Sequence, residues 1–185
     1  MIKQLAYVLA LCAATAAAPA FAQSDTDTKN FAVIGNVPAL CSGGILTGTG
    51  STFDVGVLVD TATGFLRTDL AAPAKLLAGS FCSARSTIRV DATPMLAQNF
   101  TGTPPTGFSR TVNYTATASG WTATPAVFTV GAASNPAAVQ ARPNAFTADI
   151  TVGVSSFTTD GGATLRMVAD TSYVGTVTVT LAVAN

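Results

Sequence analysis

Val177, Val179, Leu181 and Val183 alternate with Thr176, Thr178, Thr180 and Ala182 at the end of the chain. Successive side chains of a strand point to opposite faces, so this pattern describes a strand with one apolar face and one mostly hydroxyl-bearing face. The period recurs twice. Over residues 108–118, Phe108, Val112, Tyr114 and Ala116 share one face, and Ser109, Thr111, Asn113 and Thr115 share the other. Over residues 146–155, Phe146, Ala148, Ile150, Val152 and Val154 point inward, and Thr147, Asp149 and Thr151 point outward. Weaker strand patterns lie at 31–37, 52–59, 87–92, 126–130 and 164–168. Gly- and Pro-rich stretches separate them, at 42–50, 93–107 and 132–145. Asp160-Gly161-Gly162 has the form of a hairpin turn. Residues 70–78 suit one short helical piece, limited by Pro73. Thr and Val favour strands, and Glu, the residue that most often clothes helices, is missing. The expected fold is all-β: an immunoglobulin-like β-sandwich of about seven to nine strands with Trp121 as a core candidate, or alternatively a small β-barrel.

The first residues read as an export signal. Lys3 supplies positive charge, residues 5–18 are apolar, and Ala20-Phe21-Ala22 is a small-x-small cleavage site. A signal peptide over 1–22 would leave a single domain over 23–185, led by a flexible segment at 23–38. Cys12 would be discarded; its acylation as a lipoprotein is disfavoured because Leu11, not a small residue, precedes it. No later apolar run approaches the ~20 residues of a membrane span. In an oxidising compartment the two remaining cysteines, Cys41 and Cys82, are expected to form one disulfide, the alternative being two separate buried thiols. The loop so closed is about 42 residues, for which chain-entropy arguments give roughly 4 kcal/mol.

The residue inventory excludes much chemistry. There is no His, and all nine acidic residues are Asp. Ser-His-Asp and Cys-His catalysis therefore lack their base, and zinc lacks its usual ligands. The Asp residues show no diagnostic pairing. Asp25-Thr26-Asp27 lacks the Gly and Glu of a calcium loop and reads as a polar lead. No enzyme activity, metal or cofactor is expected. Nine Lys and Arg balance nine Asp without forming a basic stripe, so nucleic acid is not an expected partner. Asn99-Phe-Thr101 and Asn113-Tyr-Thr115 are formal glycosylation sequons in a Thr-rich chain. Phe100, Phe108, Tyr114, Trp121, Phe128 and Phe146 could line a sugar platform, although large rings more often form core.

Residues 31–37 place Phe31, Val33, Gly35 and Val37 on one face, just before Cys41. This is the form of a donor strand, which adds to a neighbour's open sheet edge and fills pockets with alternate side chains. The other reading is that 31–37 is the domain's own first strand. Four features together are similar to the spore coat protein U family, which includes subunits of archaic chaperone–usher pili. They are residues 31–41, the stretch Phe53-Asp-Val-Gly56-Val-Leu, Cys82, and the ending Tyr173-Val-Gly-Thr-Val-Thr-Val-Thr-Leu. The middle, 93–145, has no counterpart in that pattern, and the chain ends Ala-Val-Ala-Asn185 where the family commonly ends on an aromatic residue. The resemblance implies an incomplete immunoglobulin-like sandwich, completed by a donor strand. It also implies self-association or homologous subunits as partners, with a periplasmic chaperone and an usher, and a secreted or cell-surface location reached through the periplasm. Val177, Val179, Leu181 and Val183 would then wall the acceptor groove. The competing expectation is a stand-alone secreted or periplasmic module that recognises a ligand, such as a glycan, through loops at 93–107 or 132–145.

Overall fold

The computed structural model describes residues 27–48 and 50–184. The expected signal peptide and cleavage site lie outside the described residues. The chain divides into two units, Met1–Asn36 and Val37–Asn185. In the first, residues 27–36 carry neither helix nor strand, Lys29 pairs with Asp27 at 2.8 Å, and Phe31 and Val33 are 85% and 97% exposed. The expected strand over 31–37 is therefore not formed within this chain.

Thirteen strands form among the described residues, all in the second unit. In order they are β1 (Cys41–Ser42), β2 (Ile45–Thr47), β3 (Lys75–Cys82), β4 (Ser86–Ala92), β5 (Met95–Ala97), β6 (Phe108–Ser109) and β7 (Thr111–Ser119). They continue with β8 (Ala126–Thr129), β9 (Val139–Arg142), β10 (Phe146–Thr159), β11 (Arg166–Met167), β12 (Tyr173–Val174) and β13 (Val177–Val183). One sheet runs β1-β3-β10-β7-β5-β12, with β2 also on β3 and β8 also on β7; the facing sheet runs β13-β4-β9. A parallel pair, β6 with β11, lies apart. Trp121, Ile88, Val90, Ala116 and Ile150 fill the space between the two main sheets, each fully buried. Trp121 Nε1 donates to Ser86 Oγ at 3.2 Å, and Phe146 meets the indole edge-on at 5.3 Å.

The fold is an all-β sandwich, and its strand order is informative. An immunoglobulin sandwich sets strands A, B, E and D against C, F and G. Here β1, β3, β10 and β7 follow the first set, and β4 and β13 stand as C and F. Among the described residues no strand flanks β13 where G would lie.

Several expectations need correction. Residues 70–78 contain no helix, because Lys75–Cys82 forms the strand between β1 and β10. Lys-Leu-Leu-Ala has good helix propensity, but burial of Leu77, Ser80 and Cys82 overrides it. Gly79, at φ 67°, is the extra residue of a bulge, and its N–H donates to Asp149 Oδ1 at 2.8 Å. Phe108 is exposed and Ser109 is buried, so the alternation changes phase at Arg110 between β6 and β7. Asp160-Gly-Gly is not a hairpin turn: a short 3₁₀ turn, Gly162–Thr164, follows, and β11 leaves to pair with β6. Residues 52–59 form no strand beyond a single bridge from Val59 to Leu66. The Cys41–Cys82 disulfide is formed.

Candidate strand-acceptor groove

Strand β13 is anchored at its start and, among the described residues, paired on one side only. The Tyr114 hydroxyl donates to the Thr176 carbonyl at 3.0 Å, and Thr93 N–H donates to the same oxygen at 2.9 Å. From there β13 pairs with β4 along its whole length, from Val177 opposite Ala92 to Val183 opposite Ser86. The Val–Thr alternation of the sequence sets the facing: Thr178 and Thr180 are exposed, and Val177, Val179 and Leu181 pack on the core.

The two partners in this ladder are not equally covered. Val90 and Ile88 of β4 are 0% exposed, whereas Val179 and Leu181, directly opposite them, are only half-buried. Residues opposite each other on one face share the same depth in the sandwich. The difference points to the far side of β13, where among the described residues no strand is paired with it. An edge carrying apolar inward residues and unpaired N–H and C=O groups is a template for a further strand.

The other rim of this opening is the β1–β2 edge, of which β1 stands against β13 at the Val183 end. Gly44, at φ 73°, breaks that edge strand, and a Cβ there would collide with the Ala78 carbonyl oxygen. Leu46 pairs with Leu77 and so shares its core-facing side, yet Leu46 remains 39% exposed. At the Val177 end lies a cleft of about 290 Å³ lined by Phe53, Val55, Tyr114, Phe157 and Val177. Phe53 is held there by the core, with the Lys75 ammonium 5.8 Å from its ring centroid. Burial pushes the Tyr114 hydroxyl above its ordinary pKa, so it stays a donor to Thr176 throughout the physiological range.

Of the residues singled out from the sequence, Val177, Val179, Leu181 and Val183 come together as one wall of the opening. Phe53 is an additional lining residue, and Leu46 is an exposed residue of the β1–β2 edge. Leu46 sits in a Gly-rich stretch without visible alternation, and only its register with Leu77 reveals it. Phe31 and Val33 lie in the strandless first unit, and Val37, at the start of the second, is 79% exposed. The six aromatics do not form one platform, since Trp121 and Tyr114 are buried between the sheets and Phe108 is exposed. Among the described residues no group of three or more His, Cys, Asp or Glu side chains could hold a metal ion, and no helix is long and apolar enough to cross a membrane.

The 93–107 loop is tied down by Asp170. Its carboxylate accepts from Asn99 N–H, Phe100 N–H, Asn99 Nδ2 and Ser172 N–H, each at 2.8 Å. Local desolvation raises its pKa, but these bonds, led by Ser172 and Phe100, outweigh it and hold the carboxyl at about 2. A depressed folded-state pKa means that the stabilisation is present above the ordinary carboxylate range and is lost as pH falls from about 4 through about 2. Asp170→Asn is expected to melt earlier than wild type at pH 5. The gap between the two should narrow steadily toward pH 2 in thermal melts.

Compared with protein-family models, with curated proteins and with solved structures, the chain finds no significant match.

Proposed function

We propose that this protein is a structural subunit of an extracellular fibre or coat, exported through the periplasm and assembled by strand addition. Residues 31–37 of one copy lie along the free edge of β13 in the next. The observation that carries the reading is the half-burial of Val179 and Leu181 beside the fully buried Val90 and Ile88. The lengths agree: β13 has seven residues, and so does the segment from Phe31 to Val37. The chemistry agrees as well, since Phe31, Val33 and Val37 are apolar, alternate, and are exposed. Main-chain hydrogen bonds would supply affinity, and side chains placed over Val179 and Leu181 would supply fit. No residue needs to perform a reaction. The resemblance to the spore coat protein U family points the same way, and it extends the partners to a periplasmic chaperone and an usher. The formed disulfide is compatible with an oxidising compartment.

The test compares the chain from residue 23 with one beginning at residue 37. The longer chain is expected to form a ladder of multimers on native gels. The shorter is expected to remain a folded monomer that binds a synthetic peptide of residues 29–38 and melts higher with it. A longer chain that stays monomeric, together with a shorter chain indifferent to the peptide, would refute the assignment.

A further inference from the structure

The sandwich has two distinct ends, and the strand directions fix which is which. Strand β3 finishes at Cys82 and β4 begins at Ser86, so both mark one end; Val183 pairs with Ser86 there, and β1 pairs with Cys82 there. Val177, opposite Ala92, marks the other end. Seven residues of strand separate the two ends by about 20 Å.

The chain enters the sandwich at the Cys82 end, and it is clasped as it does so. Leu40 N–H donates to Ser83 Oγ at 3.0 Å, and Ser83 N–H donates to the Leu40 carbonyl at 2.9 Å. Ser83 Oγ also reaches the Pro38 carbonyl at 3.3 Å. The disulfide fixes the next residue, Cys41, to Cys82. Val37 is one residue before Pro38, so its backbone stands within about 4 Å of the clasped residue.

We propose that the short tether from Val37 to the Cys41–Cys82 bond, drawn tighter by the Ser83 clasp, bars the chain's own donor segment from its own groove as an antiparallel strand, so that this strand must come from a second copy. The inference rests on the strand-addition reading. An antiparallel partner of β13 places Phe31 at the Val183 end and Val37 at the Val177 end. For the chain's own segment, Val37 would then lie about 20 Å from the end at which Pro38 is held. Even with the clasp undone, the four steps from Val37 to Cys41 span at most about 14 Å. Only a parallel insertion is within reach in cis, and parallel pairing is the less stable of the two. A segment from another copy has no such tether. Donor and acceptor surfaces differ, so the contact is heterologous and propagates instead of closing as a symmetric pair. The short clasped linker thus selects open-ended growth over a self-capped monomer.

Lengthening the linker tests this. About ten Gly/Ser residues inserted between Val37 and Pro38 give enough reach for antiparallel insertion in cis. The lengthened chain is expected to lose the multimer ladder, run as a monomer and resist the added 29–38 peptide. Val33→Asp in the lengthened chain should restore peptide binding, which shows the groove intact and the insert folded. Multimers as abundant with the long linker as without it, while the short-linker chain assembles normally, would overturn the inference and leave strand addition standing. A short-linker chain whose residues 31–37 are protected from hydrogen exchange as a monomer would overturn it too. A short-linker chain that neither assembles nor binds peptide after truncation would instead sink strand addition itself.

Discussion

Removing the Cys41–Cys82 bond is expected to lower the stability of the folded monomer by about 4 kcal/mol. The two cysteines are 41 residues apart in sequence, so the bond excludes a large set of open conformations from the unfolded chain. A second contribution lies in the native state. Strand β1 has only two residues, paired with Phe81 and Cys82, and the Ser83 clasp holds the chain just before it. Cys82 is 2% exposed within the core, so serine would bury a hydroxyl there, and the suitable variant is Cys41→Ala with Cys82→Ala. In urea the midpoint should fall by roughly 2 M for a chain of this size. Reduction of the wild-type protein should reproduce most of that shift. A midpoint unchanged by either treatment would show that the edge is held by other contacts.

Sequence pattern located the strands that face water on one side and missed those defined by their surroundings. The alternation in Val177–Val183 and Phe146–Thr159 shows directly which residues point inward, because one face of each strand must be apolar. Lys75–Cys82 lies between two neighbours, and its Lys-Leu-Leu-Ala start reads as helix; only the competition for burial makes it a strand. Phe108 fell out of phase for a local reason, since the Ser109 hydroxyl bonds both the N–H and the carbonyl of Thr111 and resets the chain there. The groove was half legible. Its β13 wall follows from alternation, but its openness does not, because the exposure of Leu181 depends on the lack of a neighbour. Ser83 carries no signal in sequence at all; its role follows from the carbonyls of Pro38 and Leu40 being brought to it.

Single charges placed on the two sides of the proposed contact should separate assembly from folding. Val33 is 97% exposed, so Val33→Asp is expected to leave the monomer's urea midpoint unchanged. In the assembled state the same carboxylate would be desolvated against Val179 and Leu181 without a partner, at a cost of several kcal/mol. A cost of about 4 kcal/mol weakens association roughly a thousandfold, enough to remove the multimer ladder. Val179→Asp should remove it from the other side, with some loss of monomer stability because Val179 is already half-buried. The decisive sample is the mixture. The Val33→Asp chain keeps an intact groove, and the Val179→Asp chain keeps an intact donor segment. Together they should give one-to-one dimers and nothing longer, since the dimer offers neither a usable donor nor a usable groove. Undiminished multimers of Val33→Asp alone would place the contact elsewhere on the sandwich.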